Sequence, residues 1–269
     1  MPDSHDRDQH YLRLLVDPLR VCAAYKPMFG HGRKGGLTLE QFQQLYGSDP
    51  FYAWMGLDSP LMYTAHKAAG GMTSIYRQIG IGCQWIFQAV LQDQLGLTKE
   101  QAAWSYRVPK GGNEERTLSL DGRIDLAHLR DRATRRRLLR WMQQVEERVE
   151  LPAEFREQMK GVVFEVRQGY KSKDSKRQNA DIANASNAYA HFYVPVVLLL
   201  STQIDKDVRD RYAHARWLML TGATAGEATT STYVFCRDVL GYDLAGFFSR
   251  NSARIKRELE AILLTLLQA

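Results

Sequence analysis

The sequence predicts an α/β protein, a mixed central sheet flanked by helices, with helical additions at both ends. Three observations lead there. Apolar residues recur at helical spacing through the first hundred residues and again toward the end. After Trp104, short runs rich in β-branched and aromatic residues appear: GVVFEVRQGY, VPVVLLLS and WLMLTG. These runs alternate with amphipathic segments, the pattern of a sheet whose faces are covered by helices. The 269 residues, 45% of them hydrophobic, suffice for one large domain with an embellishment or two small ones. The expected divisions are a helical region over 1–72, a core over 73–222 and a helical region over 223–269 packed on the core.

From the N-terminus, Asp6 to Tyr25 places Leu12, Leu15, Val16 and Leu19 on one helical face, interrupted by Pro18. GHGRKGG, residues 30–36, is a basic loop that lacks the P-loop pattern. Thr38 with Gln41 forms a capping box that opens a short helix. Ser74 to Leu95 is the longest helical pattern and is closed by Gly96. Gly80 and Gly82 within it mark close packing or close approach of a ligand. TLSL, Asp121-Gly122 and RIDLAHL then read as a β-hairpin with a type I′ turn. Helical segments follow over 130–148 and 153–160, then the strand beginning at Gly161, a helix over 174–192 and the buried strand VPVVLLLS. A helix over 208–216, the strand WLMLTG and a helical remainder complete the chain.

The formal charge is +6, and about half of the Lys and Arg lie between Arg107 and Arg177. That distribution suits a polyanionic partner, since duplex nucleic acid gains affinity by counterion release. Arg132, Arg135, Arg136, Arg137 and Arg140 could bind backbone phosphate, or simply form a solvated helix face. Cys22, Cys83 and Cys236 are widely spaced and odd in number, which argues against a disulfide framework and fits a reducing cytoplasm. No apolar run is long enough to span a bilayer, and the histidines show no metal-ligand spacing.

The chemistry concentrates in the strand from Gly161. Alternation puts Val163, Glu165, Arg167 and Lys171 on one side, so an acid and a guanidinium two residues apart point the same way. In RIDLAHL, Asp125 faces away from Ile124 and Leu126. Two carboxylates on neighbouring strands could share one Mg²⁺, which takes one or two carboxylates and keeps several waters. Taken singly, Glu165 is also explained as a surface charge paired with Arg167, and Asp181 reads first as a surface charge. Gln84 and Gln88, on the helix before the hairpin, read as packing residues.

A helix, a hairpin bearing an Asp, a strand bearing an acid-x-base triplet, a helix and a buried strand, in that order, resemble the PD-(D/E)XK nuclease core. FEVRQGYKSKDSKRQNADIANA followed by VPVVLLLSTQID carries most of the likeness, which lies close to the ApaLI-like type II restriction endonucleases and covers about residues 74–222. The resemblance implies a Mg²⁺-dependent, sequence-specific endonuclease of double-stranded DNA, acting as a homodimer. It makes Asp125 and Glu165 the metal-binding acids. Asp121 is a rival for the first acid, although Gly122 after it suits a turn better. Arg167 stands where the family has Lys; either Arg167 replaces it or Lys171 or Lys173 reaches into the site. Arginine cannot act as a base. The stretch containing Lys171, Lys173, Asp174, Lys176, Arg177, Gln178 and Asn179 mixes phosphate-binding and base-reading side chains beside the strand. Competing readings are a structure-selective or repair nuclease, a non-catalytic DNA-binding protein, and a basic interaction protein without a nucleic-acid role.

Overall fold

The computed structural model describes residues 4–28, 35–109, 114–169 and 175–268. In chain order the named elements are α1 (Ser4–Arg20), α2 (Leu39–Gly47), α3 (Pro50–Trp54), α4 (Pro60–Leu95), α5 (Lys99–Ala102), β1 (Trp104–Pro109), β2 (Glu115–Leu120) and β3 (Gly122–Asp125). They continue with α6 (Arg132–Arg148), α7 (Ala153–Arg156), β4 (Gly161–Arg167), α8 (Ser175–Ala190), β5 (Tyr193–Leu199), α9 (Lys206–His214), β6 (Leu218–Leu220), α10 (Thr232–Phe235) and α11 (Leu244–Leu267). Among the described residues no helix is long and apolar enough to cross a membrane.

Two compact units form. One comprises Met1–Gly82 with Ser249–Ala269, the other Cys83–Phe248. The first is helical. Its core gathers Leu19, Cys22, Ile75, Ile262 and Leu266, and a smaller cluster joins Leu37, Phe42 and Tyr63. Gly70 and Gly71 permit that packing, since a Cβ there would lie 2.0 Å from the Tyr25 hydroxyl and 2.7 Å from Leu266 Cδ1. Gly82 lies against Leu15 in the same way, whereas Gly80 faces open space. The Thr38–Gln41 capping box is present, and α1 runs unbroken through Pro18.

The second unit is α/β, with a mixed four-stranded sheet of order β3-β4-β5-β6. β3 pairs antiparallel to β4, while β4, β5 and β6 are mutually parallel. β5 is buried along its whole length, as expected of a near-continuous apolar run in the centre of a sheet. On one face Val163 and Val197 pack with Ala185, Ala188, Val208 and Tyr212 of α8 and α9. On the other, Phe164 stacks edge-on to Phe87 of α4 and lies 5.7 Å from Phe235 of α10, whose ring also meets Trp141 of α6. That aromatic contact carries the unit past residue 222 to Phe248.

The expected hairpin at Asp121-Gly122 is not formed. The hairpin is β1 with β2, in register Trp104↔Leu120 to Pro109↔Glu115. Beyond Leu120 the chain bends and continues into β3, exchanging its partner β1 for β4. Gly122 has no positive φ, so it is no type I′ residue. A Cβ there would lie 3.1 Å from Leu91 Cδ1 and 3.2 Å from Phe87 Cε1. Glycine stands at 122 because α4 packs closely over it, which imitates a turn signal in the sequence.

Candidate active site at the end of the central sheet

The register of β3 against β4 decides which acids can meet. Asp125 lies opposite Gly161, at the start of β4, and Gly122 opposite Phe164. Glu165 is four residues along β4 from Gly161, roughly 13 Å at strand rise. Asp125 and Glu165 therefore share a face but lie at opposite ends of the ladder, too far apart for one cation. The pairing of Asp125 with Glu165 is corrected on that ground. Asp125 serves local structure instead: its carboxylate accepts from the Ala127 N–H at 2.9 Å and from the Tyr193 hydroxyl at 2.7 Å. Burial works against its ionisation, but the Tyr193 and Ala127 bonds and the charges of His128 and Arg123 outweigh burial and hold its pKa below the ordinary value. Burial together with that bond pushes the Tyr193 phenol up to about 12.

The acid beside Glu165 is Asp121. Its N–H donates to the Phe164 carbonyl at 2.8 Å, and its carboxylate accepts from the Val166 N–H at 2.8 Å, so the side chain extends the β4 ladder just before β3 begins. From α4, Gln84 donates to the same carboxylate oxygen at 3.1 Å and Gln88 donates to the Asp121 carbonyl at 2.7 Å. The two glutamines, read as packing residues, are the clamp on this acid. Burial pushes the Asp121 carboxyl above the usual carboxylate range and the charge of Asp181 adds to it; Val166, Arg167 and Gln84 pull downward without cancelling it.

Glu165 is buried, 5% exposed, and forms an ion pair with Arg167, as the alternation of β4 requires. Arg167 also reaches Asp181 of α8 at 3.4 Å, and Asp181 accepts from the Tyr212 hydroxyl of α9. Asp181 is 2% exposed, so the surface-charge reading of it is wrong. The helical spacing hid this, because α8 has only a weak apolar stripe and gives no sign of which face turns inward. Asp121, Glu165 and Asp181 thus surround one guanidinium at one end of the sheet. Among the described residues no group of three or more His, Cys, Asp or Glu is arranged to hold a metal ion. A cation here would rest on the two carboxylates of Asp121 and Glu165, a hard-oxygen donor pair of the kind Mg²⁺ accepts while keeping its waters.

Lys171, Lys173 and Asp174 lie outside the described residues. Lys176, Arg177 and Gln178 belong to the first turn of α8, and their side chains also lie outside the description. Asn179 is exposed, and its Oδ1 accepts from Arg211 of α9 at 2.9 Å. The three cysteines are free and buried. In comparisons with protein-family models, with curated proteins and with solved structures, nothing matches this chain.

Proposed function

We propose that the chain is a Mg²⁺-dependent endonuclease of double-stranded DNA, of the PD-(D/E)XK restriction type, working through Asp121 and Glu165. One observation carries the reading: an acid at the seam between β2 and β3 and an acid-x-cation pair on β4 meet around Arg167 at one end of the sheet. A bound Mg²⁺ would neutralise charge on the scissile phosphate and acidify a water. Asp121, held by Gln84 and the Val166 amide with its pKa raised, is a carboxyl whose ionised form a cation would relieve. Glu165 supplies the second carboxylate once Arg167 turns from it toward a phosphate oxygen. Arg167 cannot accept a proton and stabilises charge only. Asp181, fixed by Tyr212, holds the guanidinium near the site through that exchange. Cutting both strands of a symmetric sequence suits a two-fold homodimer, which belongs to the proposal.

Incubation of the protein with plasmid and phage DNA in Mg²⁺ tests it. Discrete fragments are expected, lost in Glu165→Gln and Asp121→Asn and retained in Asp125→Asn. Intact DNA across many substrates overturns the reading, and nicking without a fixed banding pattern transfers it to a structure-selective nuclease. A second reading has its own observation. Arg167 pairs with both Glu165 and Asp181, which is also how a closed structural ion cluster would be built in a non-catalytic DNA-binding protein. Salt-sensitive DNA binding, with neither cleavage nor Mn²⁺ binding, would establish that alternative.

A further inference from the structure

Beside β6, at one edge of the sheet, lies a cavity of about 430 Å³. Three arginines from separate places line it: Arg148, the last residue of α6; Arg209, on α9; and Arg216, just before β6. Thr221 and Thr230 also line it, their hydroxyls donating to the Thr230 and Glu227 carbonyls, and no Asp or Glu is among the lining residues. None of the three guanidinium groups is ion-paired among the described residues. Helix dipoles account for part of this, since Arg148 ends α6 and Arg216 follows the end of α9, where cations are favoured. They do not account for Arg209, which lies in the N-terminal half of α9. Like charges gathered round one cavity repel until an anion bridges them. Guanidinium forks match the oxygens of a phosphate in paired, charge-assisted hydrogen bonds.

We infer that this cavity is a phosphate-binding site distinct from the acid cluster around Arg167, taking either a phosphodiester of the DNA backbone or a free phosphate such as that of a nucleotide. The two sites are joined by α9, which presents Arg209 to the cavity and Tyr212 to Asp181. The inference does not depend on cleavage, because a phosphate would be held whether or not a phosphodiester is cut.

The test compares the parent with Arg148→Ala/Arg209→Ala, both changes at exposed positions. The control, Arg13→Ala/Lys256→Ala, removes the same charge from exposed helical positions elsewhere. Duplex DNA binding is measured against salt in Ca²⁺, and pyrophosphate and AMP are titrated by calorimetry with melting followed in parallel. If the source is backbone, the double variant binds duplex at least tenfold more weakly and its log K against log salt slope shrinks by about two, the control changing far less. If the source is free phosphate, pyrophosphate or AMP binds and stabilises the parent and control but not the double variant, with duplex affinity unchanged. Either result supports the site. Equal salt slopes, with no response of the parent to pyrophosphate or AMP, overturn it. So does loss of Mn²⁺ binding in the double variant, which would make the cavity part of the acid cluster. Failure of the parent to cut DNA counts against the nuclease reading alone.

Discussion

Asp121 is a carboxyl that its surroundings grip and at the same time discourage from ionising. With its folded pKa raised, its contribution to stability is present below the unfolded pKa and is lost as pH rises through the folded one. Asp121→Asn should therefore raise the melting temperature, with a gain that grows as pH rises from the unfolded carboxyl pKa through the raised folded one, while abolishing cleavage. Asp125 has the opposite sign. Its depressed pKa contributes stability above the unfolded pKa that is lost as pH falls through the folded value. Asp125→Ala should cost about 1–2 kcal/mol by denaturant unfolding, through the lost cap and the Tyr193 bond, and leave cleavage within a few-fold of the parent. Arg216 has φ 56, a conformation that glycine adopts without penalty. Arg216→Gly should stabilise the fold by about 1 kcal/mol while weakening phosphate binding beside β6. Glu165 and Arg167 were legible as a pair from strand alternation alone. The first acid is legible only as a rival to Asp125, because Asp-Gly is a strong hairpin signal and fits Asp121 to a turn.

The bend at Asp121 is where sequence and structure part at the level of elements. β4, β5, α6 and α8 follow from periodicity and composition, their ends falling within a few residues of expectation. β1 carries its own signal, since Trp104, Ser105, Tyr106 and Arg107 alternate apolar and polar and are buried and exposed in turn, but the Asp-Gly further on competes for the turn. What distinguishes a turn glycine from one under a helix is the neighbour across space, which a single sequence does not carry. Gly122→Ala should cost about 1–3 kcal/mol by forcing Leu91 and Phe87 aside, with the far-ultraviolet spectrum unchanged. At Gly161 a Cβ would fall 1.9 Å from the Ile124 carbonyl oxygen, so the backbone itself must move. Gly161→Ala should destabilise by about 3 kcal/mol and separate β3 from β4, which would show as loss of cleavage even where the variant remains folded.

Across the whole molecule the excess of six positive charges is spread over a sheet unit rich in arginine and a helical unit. Duplex binding should weaken steeply with salt, and EDTA should stop cleavage while leaving part of the binding, as measured by gel shift. The sequence alone suggests divisions at 72 and 222, whereas the chain passes from one compact unit to the other within α4, after Gly82, and within α11, after Phe248. Helical continuity runs through both places, and periodicity has no means of marking a boundary that falls within a helix. The bond from the Val166 N–H to Asp121 has a spectroscopic consequence. One amide proton of the central strand answers to a carboxylate rather than to a backbone carbonyl. Its resonance should drift with acidity and jump when a divalent ion binds, making it an indicator of the site's occupancy that needs no substrate.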